Sequence, residues 1–263
     1  MKKICLLLPL LVVAACSSDP ETTPSPDGGT AVGTNEGGAL PDDAGGGPAE
    51  PADGGRSDDA EGTSCTAAAE QLLGPIDAIS TGAVTVLSEA DGTKTLFVDA
   101  SAGGTQGAST NPRLYLNLET ASRVDETDKT APTSTGWDLA IKRPILFTNS
   151  GDGGPGQGGA LLVAKPFDDV TAADASGVTL ATESFFDADC TAKVDATGAV
   201  KTSFDGWYDY DRATNVLTPH DGTWLVRGGT GKLYKLQILS YYATPDGGAG
   251  QSGGRYTLKV GAL

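Results

Sequence analysis

The chain has 263 residues and a formal net charge of −16, with 37 glycines and 15 prolines but only one histidine and one methionine. This acidity excludes a protein that binds the phosphate backbone of nucleic acids. A single histidine also excludes a metal site built from two or more histidines.

The first sixteen residues, MKKICLLLPLLVVAAC, predict an export signal. Lys2 and Lys3 precede an apolar run from residue 4 to residue 13, which is shorter than the ~20 residues of a membrane-spanning helix. The letters VAAC resemble a bacterial lipobox. We therefore expect residues 1–15 to be removed and Cys16 to carry acyl chains, such as palmitate, that hold the protein to a membrane. Cleavage near Ala15 as an ordinary signal peptide is the alternative.

Residues 16–61 are composed mainly of Gly, Pro, Ala, Asp, Ser and Thr, with 11 acidic residues against one arginine. Such a segment cannot bury a core, and its like charges repel each other. It predicts a disordered acidic tether with a random-coil reach of about 35 to 40 Å. The protein is thus expected at the outer membrane or cell surface, bound by its lipid.

Residues 62–263 are about the length of one domain. Two cysteines remain in this region, Cys65 and Cys190, and an exported protein meets an oxidising compartment. We expect them to form a disulfide, whose closed loop would contribute about 4 to 5 kcal/mol in the chain-entropy model. Two free thiols are the alternative.

The domain's patterns favour strands. One helix is predicted in SCTAAAEQLLG, with Ser64 as the N-cap and Gly74 just after the end. Elsewhere apolar residues alternate with other residues, which is typical of half-buried antiparallel strands. The alternating sets are Leu114, Leu116 and Leu118; Trp137, Leu139 and Ile141; and Tyr256, Leu258 and Val260. The segment TWLVRGGTGKLYKLQILSYY predicts a hairpin that turns at its glycines. The prediction is a mainly β, antiparallel domain.

No catalytic motif is present. His220, in TPHDGTW, has the surroundings of a turn, and the chain has no Gly-x-Ser-x-Gly elbow. Asp187, Asp189 and Asp195 resemble a loose calcium loop but lack its third ligand and its glycine, so they are interpreted as solvated acids. Carboxylate pairs of glycosidases are spaced in three dimensions, so the sequence is silent on them. We predict a non-enzymatic protein.

Between two apolar segments, six of the nine residues from Gly151 to Gly159 are glycine. A phosphate-binding loop would continue into Gly-Lys-Ser/Thr and a helix, whereas this one continues into the strand-like ALLVA. The sequence predicts a flexible or unusually folded connection between two strands, of a kind that often carries binding function.

Five segments, taken in order, resemble the HmuY family of haem-binding lipoproteins. They are LFVDAS, RLYLNLETASRV, GWDLAIKRPILFTNSGDGGPGQGGALL, GWYDYD and GTWLVRGGTGKLYKLQILSYY. The resemblance runs from about residue 94 to residue 260. It implies two antiparallel sheets that grip a ligand from one edge, with one or two short helices. It also implies a haemophore that captures haem and passes it to an outer-membrane receptor.

The resemblance further implies axial His or Met ligands, one near Asp211 or Arg212 and its partner in residues 182–202. Neither region holds a histidine or methionine, so any haem or porphyrin would have non-standard or absent axial ligation. Tyrosine can hold haem iron, and arginine can pair with the propionates. The candidate ligand-binding residues are Tyr208, Tyr210, Arg212 and His220, with Tyr241 and Tyr242 as further tyrosines and Arg227 as a further cation.

Two functions remain open. The first is a membrane-anchored protein that binds haem or a related apolar ligand at the cell envelope. The second is a surface interaction or adhesion module on the same scaffold that no longer binds haem. The family resemblance favours the first, whereas the missing ligands, the acidity and the long tether favour the second.

Overall fold

The structure is a computed structural model, and it describes residues 65–263. The predicted signal peptide, the tether, Cys16 and Ser64 lie outside the described residues. Two helices are present, α1 (Thr66–Leu73) and α2 (Gly104–Gly107). The strands are β1 (Val84–Ala90), β2 (Thr93–Asp99), β3 (Leu114–Asn117), β4 (Ser122–Val124), β5 (Leu139–Lys142), β6 (Ile145–Thr148), β7 (Gly159–Val163), β8 (Tyr208–Asp211), β9 (Val216–Pro219), β10 (Thr223–Arg227), β11 (Leu233–Ser240) and β12 (Arg255–Ala262).

The strands form two sheets and a separate hairpin. Six strands lie in the order β1-β2-β12-β11-β10-β7, four lie in the order β4-β3-β5-β6, and β8 pairs with β9. The strand pairs are all antiparallel. The prediction of a mainly β, antiparallel fold with one or two short helices is confirmed. The predicted hairpin is also present, since β10 and β11 pair around the glycine turn at residues 228–231.

The main core contains side chains from both sheets. Strands β2, β11 and β12 contribute Leu96, Leu236 and Leu258, while β3 and β5 contribute Leu116 and Ile141, and these five are fully or almost fully buried. Burial of each such side chain contributes about 1.5 to 3 kcal/mol. In β11 the buried residues alternate with partly exposed or exposed ones.

The four-stranded sheet is buried on both faces, so the prediction of half-buried strands at Leu114–Leu118 and Trp137–Ile141 is wrong. Tyr115 and Ala140, which point away from the main core, are almost completely buried in a second core with Trp137, Phe147 and Phe185. Segments without strand structure cover this face together with α1. Alternation therefore marks the two faces of these strands but not their exposure.

Helix α1 ends where the sequence predicts, because Gly74 adopts the left-handed conformation with φ of 50°. Its N-cap is Cys65, which makes no side-chain capping bond. The disulfide between Cys65 and Cys190 is present, with a Cα–Cα distance of 5.3 Å and a sequence separation of 125. It joins the start of α1 to the segment that follows Phe185.

The glycine-rich loop between β6 and β7 packs tightly around one buried side chain. Asn149 is fully buried; its amide donates to the carbonyls of Ser134 and Trp137 at 2.8 and 3.0 Å, and its Oδ1 accepts from the Gly156 N–H at 2.9 Å. A Cβ on Gly154 would lie 2.3 Å from Asn149 Oδ1. The glycines are needed for this close approach. Of the two predicted alternatives, a flexible or an unusually folded connection, the structure shows the unusually folded one.

A buried carboxylate joins the two sheets. Asp138 is 2% exposed, and its two oxygens accept from the Leu118 N–H at 2.7 Å and from the Gly229 N–H at 2.9 Å. Burial raises the pKa of Asp138, an effect that these two hydrogen bonds oppose. The side chain thereby fixes the β10–β11 turn against the end of β3.

We predict that Gly154→Ala destabilises the protein by about 1 to 3 kcal/mol, because the new methyl group would overlap Asn149 Oδ1 and the ring of Trp137. Urea unfolding followed by tryptophan fluorescence measures the effect. Gly136→Ala is the control, since its Cβ would meet only the Ser134 hydroxyl at 3.4 Å. Equal stability of the two variants would contradict the packing role of Gly154.

Candidate functional site

The segment of residues 185–201, here called the arm, leaves the second core and returns to it. Two isolated β-bridges, Phe186 to Ala192 and Val194 to Val200, fold the arm back on itself. The arm lies next to the β8–β9 hairpin, and a small cavity of about 30 Å³ between them has Asp195 and Tyr208 in its lining. The family resemblance implied a second ligand position in residues 182–202, and part of this stretch does lie beside the hairpin.

Glu183 fixes the base of the arm. Its Oε1 accepts from the Thr148 N–H at 2.7 Å and the Thr148 hydroxyl at 2.9 Å, while Oε2 accepts from the Ser203 N–H at 2.9 Å. The side chain is 3% exposed, and burial raises the pKa of Glu183 against the effect of these hydrogen bonds. One carboxylate thus attaches both ends of the arm to β6.

A groove of about 300 Å³ runs between α1, the β5–β6 turn and the arm. Its apolar lining comes from α1, the turn and the arm, and its cationic lining comes from β3, β5 and the turn. The lining side chains used below are Leu72, Leu73, Pro144, Ile145 and Val200, together with Arg113, Lys142 and Arg143. The groove shares Pro144, Ile145, Ala199 and Val200 with the small cavity beside the hairpin, so the two are adjacent.

The cations of the groove differ in their partners. Arg113 forms a buried ion pair with Asp128 at 3.1 Å. Lys142 and Arg143 have no carboxylate partner among residues 65–263. Burial, followed by the nearby Arg113 guanidinium, lowers the pKa of Lys142. The Asp128 carboxylate, which is paired with Arg113, opposes this shift. An anion bound here would therefore meet two cations that form no ion pair within residues 65–263.

The position of Arg143 is set by its backbone. It has φ of 51°, its N–H donates to the Ala100 carbonyl at 2.8 Å, and its carbonyl accepts from the Tyr256 hydroxyl at 2.5 Å. A left-handed arginine at a two-residue strand turn is sterically costly and is held here by these two bonds. They fix the backbone of Arg143 beside the groove that the residue lines.

The candidate ligand residues of the sequence lie on the β8–β9 hairpin, but on different faces of it. Tyr208 and Tyr210 lie on one face of the hairpin. Asp209, between them, lies on the opposite face, which also carries His220. His220 Nε2 lies 3.0 Å from Asp209 Oδ1. Arg212 is exposed in the turn between the strands. Tyr210 and His220 therefore cannot hold the two sides of one metal ion.

The tyrosine rings beside the hairpin are packed against other aromatic rings or bonded to the hairpin backbone. Trp207 packs against Tyr208, Tyr241 and Tyr256 with ring centroids 4.6 to 5.8 Å apart, and Tyr242 accepts from the Leu217 N–H at 3.0 Å. Burial raises the pKa of Tyr208, and it raises the pKa of Tyr241 to about 12. Because iron binds the phenolate, a raised pKa disfavours both as ligands.

Sequence reasoning did not single out Lys142 and Arg143. The available signal was two adjacent cations in AIKRP, between two strand-like runs of a domain in which acidic residues outnumber basic ones by 23 to 15. Their proximity to Val200 of the arm depends on tertiary structure and has no sequence signal. Within residues 65–263 no group of three or more His, Cys, Asp or Glu side chains is placed to hold a metal ion. No helix in that range is long and apolar enough to span a membrane.

The described residues form a mainly β domain in which a groove lies between a short helix, a strand turn and the arm. The family model "HmuY protein" matches residues 109–256, which is more than half of the chain. The chain therefore belongs to the HmuY family. A comparison with curated proteins gives no match.

Solved structures give distant similarities. A Bacteroides vulgatus chain described as HmuY-like and haem-binding has 16% identity and a TM-score of 0.39, with 64% of this chain and 91% of that chain covered. An apo HmuY analog from Tannerella forsythia has 13% identity and a TM-score of 0.38, covering 70% and 99%. A Bacteroides fragilis chain described as a lipoprotein has 18% identity and a TM-score of 0.40, covering 66% and 91%. The family assignment rests on the match to the family model.

We predict that Glu183 makes the stability of the protein pH-dependent with a defined sign. Its pKa is higher in the folded state than in the unfolded state, so its contribution is fully present below the unfolded pKa of about 4.3. The contribution is lost as the pH rises through the folded pKa. Relative to Glu183→Gln, the wild type should therefore lose stability as the pH rises through this window, as measured by urea unfolding at several pH values. A constant difference would contradict the prediction, and Glu89→Gln is the exposed control.

Proposed function

We propose that the protein is a non-enzymatic binding protein of the cell envelope that holds a flat apolar ligand with carboxylates, haem or a related porphyrin, in the groove between α1, the β5–β6 turn and the arm. The observation that carries the proposal is the pair of cations Lys142 and Arg143, which form no ion pair within residues 65–263, at the edge of an apolar groove. Charge-assisted hydrogen bonds from such cations to carboxylates are stronger than neutral ones.

The groove fits the periphery of a porphyrin. Leu73, Ile145 and Val200 supply apolar surface for the ring, and the two cations would hold the propionates. A pocket of about 300 Å³ is at the lower end of the range for small-molecule sites. Net acidity of the chain does not oppose this arrangement at contact distance, because beyond a Debye length of ~8 Å salt screens the surface charges.

The groove does not fit an iron-centred site. Its lining contains no histidine or methionine, and the nearest candidate, Tyr208, has a raised pKa and borders only the adjoining small cavity. His220 lies on the outer face of the hairpin with Asp209. We therefore infer that ring and propionate contacts supply the affinity, with no axial ligand.

Titration of the protein with haemin and with metal-free protoporphyrin IX tests this function. Both should bind with dissociation constants within about fivefold of each other, by absorbance for haemin and by fluorescence for protoporphyrin. Lys142→Gln with Arg143→Gln should weaken both by about 100-fold or more, since each charged hydrogen bond contributes about 1.5 to 3 kcal/mol, the two together about 3 kcal/mol or more, and 1.4 kcal/mol is tenfold. The exposed cation Lys232 pairs with Glu119, and Lys232→Gln is the matched control.

Substitution at the hairpin separates the modes of ligation. His220→Ala and Tyr208→Phe should leave the haemin absorption spectrum and the affinity unchanged. Loss of the Soret shift in either variant, together with binding of haemin but not of protoporphyrin, would identify an iron ligand and overturn the iron-independent mode.

The second function is a surface interaction or adhesion module. It is favoured by the closed contact between the arm and the hairpin, which leaves only about 30 Å³, and by the aromatic packing around Trp207. If the protein bound neither haemin nor protoporphyrin, the first function would be excluded and this second function would be the one supported. Transfer of ligand to an outer-membrane receptor is proposed only with the first.

We also propose that Cys16 is the lipidated residue, with residues 1–15 as signal peptide, 16–61 as tether and 62–263 as the binding domain. The support is the basic, apolar and small-residue pattern that ends in VAAC. Cys16→Ser should move the protein from the membrane fraction to the soluble fraction and abolish incorporation of labelled palmitate. Membrane association of Cys16→Ser would contradict lipid anchoring, and Cys5→Ser is the matched control.

A further inference from the structure

Helix α1 separates two cavities. The groove lies along one flank, which carries Leu72, and a second cavity of about 490 Å³ lies along the other, which carries Thr66, Ala69 and Glu70. Leu73 and Arg113 line both cavities. The helix and the Arg113 side chain are thus the wall that divides one larger space.

This wall is fixed at both ends. The disulfide from Cys65 fixes the start of α1 to the arm, and the Arg113 guanidinium donates to the Leu73 carbonyl at 2.6 Å at its end. Between these points the small or partly buried side chains of Ala68, Ala69 and Leu72 pack against the second core, and no residue of α1 is fully buried. An isolated helix of eight residues is unstable in water, so the position of α1 depends on these tertiary contacts.

The second cavity suits the same kind of ligand as the groove. Tyr115 and Phe147 are part of its lining, along with Ala131 and Pro132, which gives one apolar and partly aromatic side. The charged residues of the lining are Glu70, Asp128, Lys129 and Asp152. Its carboxylate Asp128 already accepts from Arg113 at 3.1 Å and from the Tyr115 hydroxyl at 3.0 Å. Flat rings pack well on such a surface, whereas the groove alone is small for a porphyrin.

We propose that α1 is a movable wall, and that the second cavity is the deeper part of the ligand site, entered by the ring of a flat amphiphile whose carboxylates stay on Lys142 and Arg143. This inference rests on the proposed function and specifies where the ligand lies. Displacement of α1 opens the groove into the second cavity. Because Cys65 is bonded to Cys190, movement of α1 and movement of the arm are coupled.

Filling the second cavity tests the ligand's position. Ala69 lines this cavity and not the groove, whereas Gln71 is exposed on the same helix and lines neither. Ala69→Trp should weaken protoporphyrin IX binding at least tenfold, and Ala69→Leu should have a smaller effect in the same direction. Gln71→Trp should stay within about twofold of the wild type. Unchanged affinity in Ala69→Trp, with wild-type thermal unfolding, would overturn the second cavity as part of the site.

Hydrogen exchange tests the wall without any ligand. Amides of α1 should exchange at least 100-fold faster than those of β5, and faster still in Cys65→Ser with Cys190→Ser. Exchange of α1 at the rate of β5 would overturn the movable wall. If the wild type binds neither haemin nor protoporphyrin, the proposed function and the ligand position both fail, while fast exchange of α1 would still support a movable wall.

Discussion

The structure depends on covering both faces of the four-stranded sheet. The six-stranded sheet covers one face with a regular core, but the other face carries Tyr115, Ala140 and Phe147 and has only α1 and irregular segments to cover it. A short helix and an arm cannot fill the area of a sheet. Cavities therefore remain on both flanks of α1, and the candidate site lies where this cover is incomplete.

Buried carboxylates compensate for the irregularity of the covering segments. Asp138, Glu183 and Asp128 each accept backbone N–H groups that no strand partner satisfies, at the β10–β11 turn, at the base of the arm and before β3. An unpaired buried N–H costs about 1 to 3 kcal/mol, so each carboxylate both offsets that cost and fixes a loop position. This explains how an acidic domain with little helix holds long irregular segments in defined positions.

The sequence predicted the elements that depend on local pattern and missed those that depend on spatial neighbours. The buried positions Tyr256, Leu258 and Val260 of β12, the hairpin that turns after Arg227 and the end of α1 at Gly74 all follow from period and glycine position. Burial of Tyr115 on the second face does not, because alternation gives the face and not what covers it. The groove also has no sequence signal, since Lys142 and Val200 are distant in the chain and only the fold of the arm brings them together.

In the proposed mode of binding without an axial ligand, the scaffold would select its ligand by features other than the metal. Metal coordination distinguishes haem from a metal-free porphyrin, whereas two cations and an apolar groove distinguish an amphiphile with carboxylates from one without. The backbone of Arg143 is fixed by its bonds to Ala100 and Tyr256, so the residue is held at the rim of the groove while its side chain can adjust to the ligand. Selectivity in this chain would therefore be set by the anionic edge of the ligand, and the size of the ligand would be set by how far α1 can move.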